Sequence, residues 1–307
     1  MTFPIRKLQA LFGDRLQENV RMSNYTTSRV GGPVLGLLPV NTLDELRFAA
    51  NSLWSLEVPF RIIGSGSNIL VSDSGYGGVV LLNHCHNIKI HSQEEQPTIY
   101  VESGANLSNI ARQSALRGLT GMEWAASIPG SVGGAIYGNA GAFGSDISHC
   151  LLSAQVLYPD KGEVTLSVDQ LDYTYRSSAL KRDRPNVVIV SALFSAAHST
   201  REAAWKLLTE NSEKRQATQP TGASTGSTFK NPSGNYAGRL IEAVGLKGHT
   251  EGHAQFSPLH ANFIINDGGS SAKDYLKLIK LAQARVKEQF GIQLELEIEL
   301  VGEFEDE

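Results

Sequence analysis

Residues 127–144 run Ser-Ile-Pro-Gly-Ser-Val-Gly-Gly-Ala-Ile-Tyr-Gly-Asn-Ala-Gly-Ala-Phe-Gly, with six glycines and no charged side chain in a chain that is 19% charged. Gly130, Gly133, Gly134, Gly138, Gly141 and Gly144 leave the main chain bare, so a large ligand can approach the amides and φ can turn positive where needed. Ile128, Val132, Ile136, Tyr137 and Phe143 recur through the run. A flexible linker of this length is Ser-rich and polar instead. The stretch reads as a ligand wall rather than packed core. A neutral, glycine-lined, partly apolar wall suits a flat anionic cofactor.

A second glycine segment narrows the class of site. Phe60-Arg61-Ile62-Ile63 reads as a short strand and is followed by Gly64-Ser65-Gly66-Ser67-Asn68. This begins like the dinucleotide fingerprint G-x-G-x-x-G, but Ile69 stands where the third glycine belongs. Leu70-Val71-Ser72-Asp73-Ser74-Gly75 continues as strand and turn, so this loop opens no helix to hold a pyrophosphate, as a Rossmann unit requires. Consecutive amides and hydroxyls between two strands still form an anion-binding nest.

The chain has 307 residues, enough for two domains, and 41% of them are hydrophobic. A net charge of −4 with no lysine- or arginine-rich run speaks against a nucleic-acid surface. Cys85 and Cys150 are too few for a disulfide framework. No run approaches 18 apolar residues and the N-terminus lacks an apolar signal core, so the expectation is a cytoplasmic protein without a membrane span.

Thr42-Leu-Asp-Glu45 is a capping box opening a helix with Leu46, Ala49, Ala50 and Leu53 on one face. Asn106 to Gly118 reads as another helix. Strands are expected at 34–40, 60–63, 69–72, 78–82, 88–91, 98–102 and 187–194. A helix follows Thr200 and stops before Pro220, another runs from Tyr236 to Val244, and a strand covers 262–265. A long helix from Ala272 to Phe290 is closed by Gly291. Leu294-Glu-Leu-Glu-Ile-Glu-Leu300 alternates as a final strand, with Glu295, Glu297 and Glu299 on one face. Strands and helices mix without a βαβ rhythm, which favours α+β. The domain boundary is placed near residue 200, with 201–307 as a separate C-terminal domain.

Gly64-Ser-Gly-Ser-Asn-Ile-Leu-Val, Ile128-Pro-Gly-Ser-Val-Gly-Gly-Ala, Asn139-Ala-Gly-Ala-Phe-Gly, Tyr175-Arg-Ser-Ser-Ala-Leu, Gly226-Ser-Thr-Phe-Lys-Asn-Pro and His260-Ala-Asn-Phe-Ile-Ile-Asn follow one another in this order. Together they resemble the UDP-N-acetylenolpyruvoylglucosamine reductases, the MurB family of flavoenzymes of bacterial cell-wall synthesis. The resemblance extends from about Thr27 to Gly302. It implies a two-lobed α+β FAD-binding domain of the p-cresol methylhydroxylase type in 1–200, split near 85, followed by a smaller α+β substrate-binding domain. It also implies FAD, NADPH as hydride donor and a nucleotide-sugar substrate. Because residues 64–68 and 128–144 contain no histidine or cysteine, the FAD is expected to be held non-covalently, and a monomer or weak oligomer is expected. By this resemblance Gly64, Ser65, Gly66, Ser67, Asn68, Ser127, Pro129, Gly130, Gly133, Gly134, Asn139 and Gly141 are expected to hold the cofactor. Tyr175, Lys230, Asn231, Arg239 and Asn262 are expected to hold the substrate. The short stretch between Arg176 and Ser227 is similar to that of the type II branch, which lacks an inserted loop bearing a substrate-capping tyrosine.

Three residues have both a plain reading and a catalytic one. Glu297 by pattern alone lies on a solvated strand face; by resemblance it is the family's catalytic glutamate, protonated or bridging through water. Ser227 alone reads as a loop serine bonded to its own backbone; by resemblance it is the proton donor. Arg176 reads either as a surface ion-pair arginine or, by resemblance, as the cation facing the substrate carboxylate. The class of function also has alternatives: another FAD-dependent oxidoreductase on this fold, or a flavin-binding protein without catalysis. Gly222-Ala-Ser-Thr-Gly226 matches the G-x-S-x-G elbow, but neither strand nor helix signals flank it correctly. His249 and His253 have zinc-helix spacing, but Gly248 and Gly252 oppose a helix, and His84-Cys85-His86 lacks further ligands nearby.

Overall fold

The computed structural model describes residues 3–304. The chain forms two compact units. The first comprises Met1–Gln17, Leu37–Gly64 and Val79–Arg215; the second comprises Glu18–Gly36, Ser65–Gly78 and Gln216–Glu307. The chain passes from one to the other after Gln17, Gly36, Gly64, Gly78 and Arg215, the last near the end of helix Arg201–Thr218.

The first unit is built on an antiparallel sheet in the order Gly162–Ser167, Leu151–Tyr158, Val188–Ser195, Thr98–Glu102, Ile88–His91. Its first two strands form a hairpin that closes at Tyr158↔Gly162, where Gly162 takes φ +69°. Helices Leu107–Leu116 and Val132–Gly138 contribute Ile110, Ala111, Val132 and Ile136 to a core shared with Ile99, Val101, Ala154 and Phe194. A second core of the same unit sets Leu46, Ala49, Ala50 and Leu53 of helix Leu43–Ser55 against Val79, Leu81, Val188 and Val190. Each fully buried leucine here contributes on the order of 2 kcal/mol. Thr42 caps that helix through its hydroxyl, accepting from the Glu45 amide at 3.2 Å. The return bond of the box is displaced by one residue, since the Glu45 carboxylate accepts from the Asn41 amide at 2.8 Å. Phe60–Ile63 pairs in parallel with Val79–Leu82, so Gly64 leaves the sheet edge.

In the second unit, helix Ala272–Phe290 begins with a complete capping box. Ser271 Oγ accepts from the Asp274 amide and the Asp274 carboxylate accepts from the Ser271 amide. The Asp73 carboxylate accepts from the next two amides, Ala272 and Lys273, at 2.8 and 3.0 Å, where the helix dipole favours negative charge. Tyr275, Leu278, Ile279, Ala282 and Val286 bury one helical face with Leu240, Ile241, Phe256 and Ile264. The strands Ala223–Ser227, Phe263–Asn266, Ala254–Phe256 and Thr250–Glu251 lie side by side in that order, all antiparallel.

The α+β class is what the molecule shows, and two stretches singled out in the sequence take a different form. Residues 132–138 of the glycine run form a helix whose Val132, Ala135 and Ile136 are buried, so one side of the run is core. The final strand is confined to Glu299–Val301, paired in parallel with Ile69–Val71. Upstream, Leu296 makes only an isolated bridge to Phe229. Leu294 and Ile298 are buried, on the apolar side of the alternation, although no ladder runs through them.

Candidate active site

In the first unit Gly64, Gly130, Gly133 and Gly134 of the expected cofactor residues lie around Ser131. Its hydroxyl caps helix Val132–Gly138 by accepting from the Gly134 amide at 3.5 Å. A Cβ on Gly64 would lie 2.2 Å from Ser131 Oγ and 2.5 Å from Ser131 Cβ. Strand end and helix start therefore touch because residue 64 has no side chain. Gly130 takes φ +133° and its carbonyl accepts from the Leu107 amide at 3.1 Å, while the Gly133 amide donates to Ser103 O at 2.7 Å. Gly134 and Gly138 stand one turn apart on the helix. A Cβ at Gly134 would meet only Ser131 Oγ, at 3.6 Å, and at Gly138 nothing within 4 Å. Neither has positive φ, so neither packing nor backbone geometry demands glycine at these two positions. In a helix each costs about 1 kcal/mol relative to alanine. Ser127 Oγ is buried and has no hydrogen-bond partner in the protein. A bare helix face and an orphaned hydroxyl fit a bound group such as FAD. Pro129 is exposed beside them.

Asn139 ends the helix in the left-handed region at φ +47° and is 2% exposed. Its Nδ2 donates to Thr174 O at 3.0 Å and to Asp146 Oδ2 at 3.3 Å, and its Oδ1 accepts from the Ser148 amide at 3.1 Å. Although burial raises it, the Asp146 carboxyl lies below its ordinary range because Ser148 and His149 donate to it. Thr174 and Ser177 exchange amide bonds at 3.0 and 3.1 Å, placing Tyr175 and Arg176 at the tip of a tight turn. Arg176 sits at φ +56°, a strained position for an arginine, and its Nη2 donates to Gly141 O at 2.7 Å. Its guanidinium lies 5.1 Å from the Tyr175 ring centroid, within cation–π range. Gly141 is required by packing, since a Cβ there would come within 2.5 Å of Asp146 Cβ. Cys85 and Cys150 are buried, and burial pushes both thiols up to about 12.

In the second unit Ser65, Gly66, Ser67 and Asn68 continue the loop. Gly66 takes φ +60°, its carbonyl accepts from the Thr27 amide at 3.1 Å, and a Cβ there would lie 2.2 Å from Tyr25 O. Asn68 joins the loop to the C-terminal segment: its Nδ2 donates to Glu297 O at 3.1 Å and its carbonyl accepts from the Glu299 amide at 2.9 Å. Ser227 closes its strand opposite Phe263, after a register shift between Ser224 and Ser227 at Gly226, whose φ is +77°. The Glu297 amide donates to Thr228 O at 2.9 Å. Ser227 and Glu297 are thus carried on neighbouring extended segments. Lys230 follows, with its amide on Glu295 O at 2.9 Å and its ammonium 3.3 Å from the Glu295 carboxylate. Asn262 bonds both main-chain groups of Phe229, accepting from N at 3.0 Å and donating to O at 2.8 Å. Asn231 Oδ1 accepts from the Ala237 amide at 3.0 Å and so starts helix Ala237–Ala243, on which exposed Arg239 bonds Asn235.

The G-x-S-x-G segment is the strand Ala223–Ser227 rather than an elbow, and His249 and His253 lie on either side of a strand turn, each beside its own carboxylate. Among the described residues no group of three His, Cys, Asp or Glu side chains is placed to hold a metal ion, and no helix is long and apolar enough to cross a membrane. Ser131 was not among the residues expected at the site. A serine directly before an apolar residue was the available signal for a helix start.

Residues 35–167 match a family described as an FAD binding domain, and residues 217–301 match the C-terminal domain of UDP-N-acetylenolpyruvoylglucosamine reductase. The chain is 38% identical to a Bacillus pumilus protein of that name over 302 residues, covering 96% of this chain and 97% of that one. It belongs to the UDP-N-acetylenolpyruvoylglucosamine reductase family. A Clostridium botulinum protein of the same name is 41% identical over 291 residues, with 94% of each chain covered. The crystal structure of the Thermus caldophilus UDP-N-acetylenolpyruvylglucosamine reductase superposes with a TM-score of 0.79 at 33% identity, covering 93% of this chain and 99% of that one. The FAD-binding family match contains the glycine run, and the C-terminal match contains Ser227, Lys230, Asn262 and Glu297.

Proposed function

We propose that the chain reduces the enolpyruvyl ether of UDP-N-acetylglucosamine to UDP-N-acetylmuramate in the cytoplasm, with NADPH as electron source and FAD bound non-covalently. The observation that carries this reading is that the segments bearing Ser227 and Glu297 lie side by side, held by the Glu297 amide on Thr228 O and by Asn68 on Glu297 O. Bound FAD supplies the transfer of hydride from NADPH to C3 of the enolpyruvyl group. Helix face Gly134/Gly138, Ser127 Oγ, and the loops at Gly64–Asn68 and Pro129–Gly133 are the groups that would hold it.

When hydride reaches C3, negative charge builds on C2 and the neighbouring carboxylate. Arg176, fixed on the Gly141 carbonyl, supplies the positive charge that stabilises it. Ser227 donates its hydroxyl proton to C2, and Glu297 supports the enolate as an acid or through water. The sum is one hydride and one proton added across the double bond, with NADP+ released. Lys230 and Arg239 are cations suited to the diphosphate or carboxylate of the substrate, with Tyr175 and Asn231 as further contacts. The protein contributes position and charge; the redox chemistry is the cofactor's.

The test is the absorption spectrum of the purified protein. A yellow cofactor released by denaturation, bleached by NADPH in the native protein and restored by the enolpyruvyl nucleotide under anaerobic conditions supports the reading. Bleaching without restoration by that substrate points to another flavin oxidoreductase. A spectrum NADPH leaves unchanged points to flavin binding without this catalysis.

A further inference from the structure

Asn262 is a candidate substrate contact by sequence, but its carboxamide is committed elsewhere. The residue is 3% exposed. Oδ1 accepts from the Phe229 amide at 3.0 Å, Nδ2 donates to the Phe229 carbonyl at 2.8 Å, and the Asn262 carbonyl accepts from the Thr228 amide at 2.8 Å. The side chain thus imitates a strand partner just where the ladder between Ala223–Ser227 and Phe263–Asn266 ends. Phe229 is two residues beyond Ser227, and the intervening Thr228 carbonyl receives the Glu297 amide. One clamp therefore sets the main chain that carries Ser227 and docks Glu297.

We propose that Asn262 is a positioning residue for the proton-donating strand and makes no contact with substrate; this rests on the reading of Ser227 as proton donor given above. Removing the clamp leaves Ser227 chemically intact but free to drift from C2. A displacement near 1 Å costs on the order of 10²-fold in rate. Substrate binding, which uses other groups, is unaffected.

The experiment compares Asn262→Asp and Asn262→Ala by stopped-flow in the FAD-loaded protein, across pH. In Asn262→Asp an ionised carboxylate would oppose the Phe229 carbonyl with negative charge. A protonated carboxyl is isosteric with the amide, accepting from the Phe229 amide and donating to its carbonyl. Burial raises the carboxyl's pKa, bringing that form within a workable range. The expected result for Asn262→Asp is flavin reduction by NADPH within twofold of wild type, a reoxidation step with the enolpyruvyl nucleotide about 10²-fold slower at pH 8, and an unchanged KM. Its rate recovers toward wild type as pH falls, whereas that of Asn262→Ala does not. Flavin content and melting temperature identify any variant that has not folded, and the acid recovery of Asn262→Asp is read within one protein. A tenfold rise in KM with unchanged turnover, or equal slowing of both half-reactions without acid recovery, overturns the proposal. So does a loss from Asn262→Asp that persists undiminished on top of Ser227→Ala. If Ser227→Ala alone leaves reoxidation intact, the proton-donor reading fails instead.

Discussion

Gly64→Ala introduces one methyl group, and its cost follows from two distances. The new Cβ would lie 2.2 Å from Ser131 Oγ and 2.5 Å from Ser131 Cβ. Rotating the Ser131 side chain relieves only the first contact, because Cβ moves with the backbone. Ser131 must retreat by about 1 Å, which places the change among overpacking substitutions costing roughly 1–3 kcal/mol. The retreat also strains the already long bond from the Gly134 amide, and a lost N-cap adds about 1 kcal/mol. At about 2–4 °C per kcal/mol for a chain of this size, the melting temperature falls by roughly 4–16 °C. Flavin content falls with it, because the displaced cap starts the bare helix face. Ser131→Gly deletes both contacted atoms at a cost of only a few tenths of a kcal/mol at an N-cap. The double variant Gly64→Ala/Ser131→Gly therefore melts within about 2 °C of wild type and regains its flavin. The assays are thermal melting and the ratio of flavin to protein absorbance. If the double variant is no more stable than Gly64→Ala, the contact with Ser131 is not what requires glycine at 64.

Gly134→Leu tests the opposite kind of glycine: with only an ordinary contact to Ser131 Oγ at 3.6 Å near its Cβ, the cofactor-free protein keeps or gains up to about 1 kcal/mol of stability, while flavin occupancy drops. Retained flavin would move the cofactor wall elsewhere. His260 tests a pH dependence. Burial holds its imidazole below its ordinary value, aided by Lys247, and Nδ1 accepts from the Asn262 amide at 3.2 Å. Because the folded pKa is depressed, the unfolded chain takes up the proton first. The stabilising contribution is complete above about pH 6.5 and declines as pH falls from there toward the folded value. Urea unfolding between pH 7.5 and 5 should show a steeper decline for wild type than for His260→Gln; parallel slopes would remove His260 from the account.

Much of this architecture could be read from local signals with a clear physical origin. The capping residues Thr42, Asn106 and Ser271 and the αL Gly291 mark helix ends because unsatisfied amides and carbonyls must be met there. The helix Val132–Gly138 escapes sequence reading because glycine opposes helix by propensity, and that propensity is overruled by bonds to Ser103 and Ala105, the Ser131 cap and the burial of Val132, Ala135 and Ile136. The hairpin at Tyr158–Gly162 escapes it too, although Pro159, Asp160 and Gly162 are turn residues. The last strand is shorter than its pattern because alternation alone cannot say whether a pairing partner continues beside it. Within the candidate site, residue types indicated chemistry but not commitment. Nothing in a sequence distinguishes Asn262, whose amide is consumed by Phe229, from an asparagine turned toward substrate. Nor does it separate glycines required by protein contacts, such as Gly64 and Gly141, from Gly134 and Gly138, which the protein leaves unfilled.

The most direct measurement is anaerobic stopped-flow of Ser227→Ala in its two half-reactions. NADPH oxidation needs no proton from residue 227, so flavin bleaching should proceed at a rate close to wild type. Reoxidation by the enolpyruvyl nucleotide needs a proton at C2 and should slow by about 10²–10⁴-fold, the usual range for a lost general acid. Ser227→Cys, which retains a donor, should recover part of that loss. An equal loss in both half-reactions, or wild-type reoxidation in Ser227→Ala, would contradict the assignment of Ser227 as the proton donor of this reductase.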